Sequence, residues 1–505
     1  MGKEKALMIK KQQKKIIIFA VAALVLILAY FLIISPMIQK ALTPAEAVIP
    51  NLLDGEVLGS QNRILLMEHV EKADIQEIEV HNDHGVYTLY KDATDNFVIR
   101  NNEIAPISPY ALSSVVVSTG YTLSMTRVSE DCDDMSEFGL APSDNPAWYK
   151  LTKTDGIEHI VYVGDAIPTG AGYYCSYKDR NAVYVLDASI GATVLANVCD
   201  LVMPILTIPI SSTQYYTTKD FWLRRNGEMF VHIDYLNEEE RAQFAAAENR
   251  VYVMKYPTNY EPSTTNYDTI LQTFVEFVGV RTLELGNASE VIDNETLLKY
   301  GIDMEMPAYE LHYTYSGLDN FVFFSNLNAN GTYYAYSLLF NIIVEVDPAK
   351  VSFLNWDIIK FVDRPIFQRN INDIAFIEIE SPTVNESFTL VGEAQEILIT
   401  PTSTGTTFDA TGLQNFRQFY KVMLSLQLED YTENRSTDNC MATMRITTDA
   451  GIKVEYKFYP YSTRRAYFTI NGVGEFYTQR DMVDKMLSDC AKSVQLTPID
   501  SEAKS

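Results

Sequence analysis

The sequence predicts an α+β protein in which one N-terminal transmembrane helix precedes three tandem α+β modules with mainly antiparallel sheets. Three observations predict it. A lysine-rich start leads into an uncharged apolar run, short strings recur three times beyond it, and each recurrence places one helical stripe among strand-like alternations. The 505 residues leave room for several domains, and a chain 47% hydrophobic and 21% charged is globular rather than disordered.

The first element is the tail 1–15, where Lys3, Lys5, Lys10, Lys11, Lys14 and Lys15 face one acid, Glu4. Ile16–Ile34 carries no charge; a helix over that run would be roughly 28 Å long at about 1.5 Å per residue, the thickness of a bilayer core. The lysine asymmetry predicts a cytoplasmic N-terminus in a bacterial cell membrane, a single-pass signal anchor, a stalk over 35–68 and extracytoplasmic modules. A cleaved signal peptide is the alternative. Ala45-Glu46-Ala47 offers an A-x-A pattern, but the apolar run exceeds the usual signal core of about 7–15 residues and ends well before Ala47. The whole chain carries a net charge of −26, so with +5 on residues 1–15 the remainder carries −26 − 5 = −31, which argues against phosphate-rich nucleic acid as a partner and favours solubility.

Module one is expected over 69–203. Ala73–Val80 (ADIQEIEV) and Tyr87–Leu89 form a hairpin, Leu112–Ser118 a helix, and Phe138-Gly139-Leu140 a turn. A second hairpin turns at Asp155-Gly156, Gly172–Tyr177 (GYYCSY) is a strand, and AVYVLDASIGATVL closes the module as strand and helix. After a linker at 204–225, module two (226–360) repeats the pattern, with Phe230–Asp234 as a weak copy of the first strand. Leu271–Phe277 supplies the helical stripe, Tyr300-Gly301-Ile302 the turn and Gly331–Tyr336 (GTYYAY) the strand. An insertion near Asn237–Asn249 makes this copy the most elaborated. A linker at 361–371 leads to module three (372–495), with Asn372–Ile379 (NDIAFIEI), Phe388–Leu390, Leu413–Phe419, a hairpin turn near Asp449–Gly451 and Ala466–Ile470; 496–505 is a tail.

Taken together, D-I-x-x-I-E, Phe138-Gly139-Leu140 with Pro142, Gly164-Asp165 and Gly172-Tyr173-Tyr174 ahead of V-Y-x-L resemble the bacterial domain-of-unknown-function family numbered 4340. The resemblance covers about Val70 to Leu201 and reaches the other modules only through their similarity to the first. It implies a membrane-anchored subunit encoded beside ATP-binding-cassette export permeases and gliding-motility-like periplasmic subunits. It carries over no catalytic residue.

No nucleophile elbow, zinc-protease helix, C-x-x-C or P-loop occurs. The six histidines (His69, His81, His84, His159, His232 and His312) are scattered, and His81 and His84 read as turn chemistry rather than metal ligands. Glu130, Asp131, Asp133, Asp134 and Glu137 read as a solvated loop, and Glu238-Glu239-Glu240 as a helix start. No catalytic residue, cofactor or metal is therefore expected. Tyr173, Tyr174, Tyr333 and Tyr334 are the candidate partner-binding aromatics, with strand-forming aromatics that pack a sheet as the alternative, since alternation turns one tyrosine of each pair inward. Cys132–Cys199 and Cys440–Cys490 are candidate disulfides, with five free thiols as the alternative. The functional expectation is a non-enzymatic, membrane-anchored scaffold or accessory subunit of an export or envelope-assembly system. Its partner would be a protein such as a transporter permease or periplasmic subunit. The alternative is an adhesin or wall-polysaccharide binder using tyrosine-rich sheet faces.

Overall fold

A computed structural model describes residues 51–59, 63–121, 123–236, 251–257, 260–392 and 396–499. Two compact units comprise Met1–Val86 with Ser113–Ala196, and Tyr87–Leu112 with Asn197–Ser505.

Period-two alternation dominates the chain, so strands dominate the fold. The first sheet is built from β1 (Val57–Leu58), β2 (Ile64–Leu65), β3 (Ile75–Asn82), β4 (Gly85–Lys91) and β5 (Phe97–Ile99). After helix α1 (Pro109–Gly120) come β6 (Leu123–Ser129), β7 (Ala147–Lys153), β8 (Glu158–Ala166), β9 (Gly172–Tyr177), β10 (Val183–Asp187) and α2 (Ala188–Val194). The second sheet takes β11 (Lys219–Arg225), β12 (Glu228–Tyr235) and β13 (Tyr252–Tyr256), followed by α3 (Thr264–Thr273), β14 (Arg281–Leu285) and α4 (Asn294–Lys299). It ends with β15 (Tyr309–Tyr315), β16 (Leu318–Phe324), β17 (Tyr333–Ser337) and β18 (Ile342–Val346). The third takes β19 (Ile374–Glu380), β20 (Asn385–Val391), β21 (Leu398–Pro401), α5 (Ala410–Leu424) and β22 (Leu428–Tyr431). It continues with β23 (Ala442–Thr448), β24 (Lys453–Pro460), β25 (Arg465–Ile470), β26 (Val473–Gln479) and α6 (Arg480–Val494).

All three sheets share one strand order. The second runs β13-β12-β11-β15-β16-β17-β18-β14, and the third β21-β20-β19-β23-β24-β25-β26-β22. The ten-stranded first sheet runs β5-β4-β3-β7-β8-β9-β10-β6, with β2 and β1 added beyond β6. In each, the strand after the crossover helix pairs antiparallel with the last strand of its own module, forming the far edge of the second and third sheets, while in the first sheet β2 and β1 continue beyond it. The tandem repeat is thus present at the level of topology.

The sheet-dominated architecture corrects the expected α+β class: the described residues are mostly β, because each module sets two α-helices against eight or more strands. No described helix is long and apolar enough to cross a membrane. The run Ile16–Ile34 on which the anchor rested lies outside the described residues, as do Ala45–Ala47 and the Asn237–Asn249 insertion. The single-pass anchor, and the cell-membrane and extracytoplasmic localisation that followed from it, are therefore withdrawn. A further correction concerns register. Phe230–Asp234 lies in β12, the second strand of its sheet, while the counterpart of β3 and β19 is β11, inside the stretch read as linker 204–225.

The crossover helices cover one sheet face. In the second sheet Phe221 of β11 packs on Tyr267 of α3 (ring centroids 5.6 Å apart), and Phe274 stacks on Tyr313 of β15 at 4.1 Å. In the third, Phe388 of β20 meets Phe416 of α5 at 4.9 Å, and α6 lies against α5 with Val483, Met486 and Cys490 buried. Module two covers its other face as well. Ile292, Leu297 and Ile302 form a buried cluster with Phe323, Tyr336 and Ile343, so β18 is buried at every position.

Candidate functional site

The family-like motifs of module one turn out to interlock. Gly139 has φ +65°, and a Cβ there would lie 2.7 Å from Asp165 Cγ; a Cβ on Gly164 would lie 2.3 Å from the Phe138 carbonyl oxygen. Phe-Gly-Leu and Gly-Asp are therefore two halves of one close backbone contact.

The four candidate tyrosines are not exposed anchors. Tyr333 is 1% exposed, and its hydroxyl accepts a hydrogen bond from Asn355 Nδ2 at 2.6 Å. Tyr334 packs edge-on against Tyr300 (5.2 Å) and Tyr174 against Phe138 (4.9 Å), while Tyr173 lies against Gly191 of α2. Tyr333 is thus closed to a partner, while Tyr173, Tyr174 and Tyr334 are half-buried. All five cysteines are free thiols, so neither candidate disulfide forms. His81 stacks on Trp148 at 4.3 Å, and the exposed His84 sits in the turn with its backbone N–H donating to Asn82 Oδ1. In the acidic loop Asp134 accepts from the Ser136 N–H and hydroxyl, and Glu130 pairs with Arg127.

Sequence reading passed over a polar cluster on β11, β12 and β15. Asp220 adopts φ +49° beside a register shift in the β11–β15 ladder. Its Oδ1 lies 2.7 Å from His232 Nε2, and its Oδ2 3.6 Å from His312 Nδ1. His312, 4% exposed, also reaches the Asp220 carbonyl oxygen at 2.9 Å and Asp319 Oδ1 at 3.3 Å. Asp220, His232 and Asp234 each offer a metal-ligating atom within 4.8 Å of the others. Asp234, however, is already satisfied: Oδ1 accepts the N–H groups of Asp220 and Tyr235, and Oδ2 accepts the Lys255 ammonium at 3.0 Å. Burial opposes its ionisation, yet those N–H groups and Lys255 hold its carboxyl below the usual range. Lys255 thus balances the Asp234 carboxylate, and the cluster is a hydrogen-bonded network on the sheet face.

A concavity lies elsewhere in module two. A cavity of about 410 Å³ is lined by Tyr216, Tyr252 of β13 and Tyr267 of α3, with Glu261, Asp268 and Asp363. Pro262, Thr264, Val251, Leu271 and Gln368 complete the wall, which contains no lysine or arginine among the described residues. Three features of the local fold assemble it. Ser263 accepts the Asn266 N–H and starts α3, aligning Thr264, Tyr267, Asp268 and Leu271 along one side of the helix. The bridge Pro262↔Val362 and the bond from the Asp363 N–H to the Glu261 carbonyl oxygen bring the connection to module three alongside. The hydroxyls of Tyr235 and Tyr252 both donate to the Tyr216 carbonyl oxygen, fixing the third side.

The rings of Tyr252 and Tyr267 are 4.9 Å apart and inclined at 81°. The Tyr267 hydroxyl is buried without a hydrogen-bond partner among the described residues. Burial first, and then its neighbours Tyr252 and Asp234, push that hydroxyl's pKa well above its ordinary value. Burial, Tyr235 and Asp268 do the same for Tyr252. The site is therefore aromatic, acidic and at negative potential. Its lining spans Tyr216 to Gln368, so no local string announces it.

No family model, curated protein or solved structure matches the chain.

Proposed function

We propose that the chain is a non-enzymatic accessory or scaffold protein that holds a protein partner, with the module-two cavity as its binding centre. The observation that carries the reading is the lining itself. Tyrosine rings and carboxylates converge on one concavity where module two meets its connection to module three. Such groups anchor a bound surface feature: aromatic side chains supply contact area at low entropic cost and the acids set orientation. Three copies of one sheet topology further suit a spacer that presents such a site. The family resemblance of module one suggests a subunit of an ATP-binding-cassette export system as the partner.

Site-specific photo-crosslinking tests the reading. A crosslinker replacing Tyr216, which is 56% exposed at the cavity rim, should capture one defined protein in cells of the source organism. The same group at exposed Val473 of module three should not capture it. Equal capture from both positions, or turnover of a substrate by the purified chain, would overturn the reading.

A further inference from the structure

The connections that lead into modules two and three dock in the same way, bond for bond, and both lie in the second compact unit. In the first, Met203 donates its N–H to the Pro106 carbonyl oxygen and Ser108 donates to that of Leu201, about an Ile107–Val202 bridge. Three residues on, Ile205 bridges Val278, with Gly279 donating to Pro204 and Leu206 to Phe277. In the second, Asp363 donates to Glu261 and Ser263 to Phe361, about a Pro262–Val362 bridge. Three residues on, Pro365 bridges Gln427, with Leu428 donating to Arg364 and Ile366 to Leu426. Each connection is thus a short strand held on one side by the residues just before a crossover helix, and on the other by the residues just after the next one. Its apolar side chains are covered: Leu201, Val202 and Leu206 are at most 4% exposed, and Phe361, Val362 and Ile366 at most 5%.

Module three carries the same docking edge, bare among the described residues. Asp409 starts α5 by accepting the Gly412 N–H, as Ser108 and Ser263 accept the N–H groups of Ala111 and Asn266 at the starts of α1 and α3. The Asp409 N–H and the Thr407 carbonyl oxygen are the counterparts of the groups that hold the two connections, yet neither has a hydrogen-bond partner among the described residues. Thr407 and Asp409 are exposed, whereas Pro106–Ser108 and Glu261–Ser263 are buried or half-buried. An open strand edge of this kind takes an added strand. The sequence supplies one. Val202-Met203-Pro204-Ile205-Leu206 has a relative in Val48-Ile49-Pro50-Asn51-Leu52, with valine, proline and leucine in the same places. Module one does not use that string to seal its sheet, since β2 already pairs with β6. Arg127 Nη2 donates to the Asn51 carbonyl oxygen at 2.8 Å, tethering the string to module one. Leu52, the counterpart of the fully buried Leu206, is 39% exposed.

We propose that Ala47–Ile49 of a second copy docks on Thr407–Asp409, joining copies head to tail. Ile49 donates its N–H to the Thr407 carbonyl oxygen and Asp409 donates to that of Ala47, repeating the two bonds that Met203 and Ser108, or Asp363 and Ser263, make within one chain. The surfaces that meet are different on the two copies, so the product is an open row of copies or a closed ring. The inference draws nothing from the cavity and stands or falls apart from the partner reading.

The full chain is followed by sedimentation velocity across a wide concentration range, with hydrogen exchange resolved at the Asp409 amide. Salt at about 0.15 M, where the Debye length is about 8 Å, screens the mutual repulsion of the acidic copies. The mass is expected to rise with concentration in steps of one chain, and the Asp409 amide to slow about tenfold or more as it does. Val48→Asp puts a charge at a position whose counterparts, Val202 and Val362, are buried, and Ile49→Pro removes the donor. Each should return the chain to single copies, and both precede the first strand, so unchanged circular dichroism checks that the modules stay folded. A synthetic peptide of residues 44–54, added to the Ile49→Pro chain, should slow the Asp409 amide again. A chain that stays single while Asp409 exchanges freely overturns the proposal, as does self-association that neither variant weakens. An Asp409 amide protected in single copies, but not in a chain ended after Ile499, assigns the edge to the chain's own residues 500–505 and overturns it too.

Discussion

Replacing Tyr267 by phenylalanine should stabilise the ligand-free protein. The ring lies between Phe221 at 5.6 Å and Tyr252 at 4.9 Å, and phenylalanine keeps both contacts. Only the hydroxyl is lost, and it is buried without a partner among the described residues. An unsatisfied buried polar group costs about 1–3 kcal/mol, so removing it should return about 1 kcal/mol, the lower end allowing for relaxation around the ring. In a chain of several modules a single melting midpoint is not well defined, whereas local opening is. The assay is native-state hydrogen exchange at the Ile270 and Leu271 amides of α3, both buried. A gain of about 1 kcal/mol slows their exchange about fivefold. Exchange faster than in the parent by a similar factor would show the hydroxyl to be satisfied and would refute the reasoning.

Four further outcomes are expected. Gly164→Ala should destabilise module one by about 1–3 kcal/mol, because its Cβ would sit 2.3 Å from the Phe138 carbonyl oxygen; unchanged exchange in β8 would contradict this. Glu56→Ala should cost about 3–5 kcal/mol: the Glu56 side chain is fully buried, pairs with Arg127 at 2.6 Å and accepts the Tyr184 hydroxyl at 2.7 Å. Exchange of the β10 amides reads that loss. The Thr332 hydroxyl and the Arg281 guanidinium hold the Glu345 carboxyl below its ordinary value of 4.5. A depressed folded pKa contributes stability that is complete above the unfolded value and lost as pH falls through the folded one; acid exchange profiles of β18 should therefore flatten below about pH 4.5 in Glu345→Gln. Iodoacetamide should label the exposed Cys440 and, more slowly, Cys132 in the native chain, sparing buried Cys175, Cys199 and Cys490; burial, with Glu284 and Asp200 nearby, pushes the Cys199 thiol up to about 12.

The repeat was legible in sequence where a string carried its own physics. Gly172–Tyr177, Tyr333–Ser337 and Arg465–Ile470 all occupy the same place in their sheets, because alternating aromatics between turns specify a strand wherever they occur. Leu413–Phe419 is α-helical for the analogous reason at period 3.6, whereas Leu271–Phe277 is α-helical only through Thr273 and ends in a 3-10 turn at Phe274–Glu276. Register in module two was not legible. The true first strand, Lys219–Arg225, lacks the Asp-Ile pair of its counterparts, whereas Ile233-Asp234 one strand later imitates it. The exposure of Tyr333 and Tyr334 also escaped, since alternation says which residues share a face but not whether that face is covered. In module two the segment around Ile292–Ile302 covers the second face. The cavity was invisible for a deeper reason: Tyr216, Tyr252, Tyr267 and Asp363 become neighbours only once β13, α3 and the connection after Phe361 have assembled.

The pairing of the strand after each crossover helix with the last strand of its module has a consequence for synthesis. As the chain leaves a ribosome, β14 emerges ahead of β15, β16 and β17, yet its partner is β18, the last strand to appear. The same delay separates β6 from β10 and β22 from β26. A nascent module can zip its first hairpin early, but the strand after its crossover helix keeps an open side, with unpaired N–H and C=O groups, until translation of that module ends. The sheets therefore seal in turn from the N-terminus, and a pause just before β10, β18 or β26 would leave an adhesive edge exposed on an otherwise nearly finished sheet.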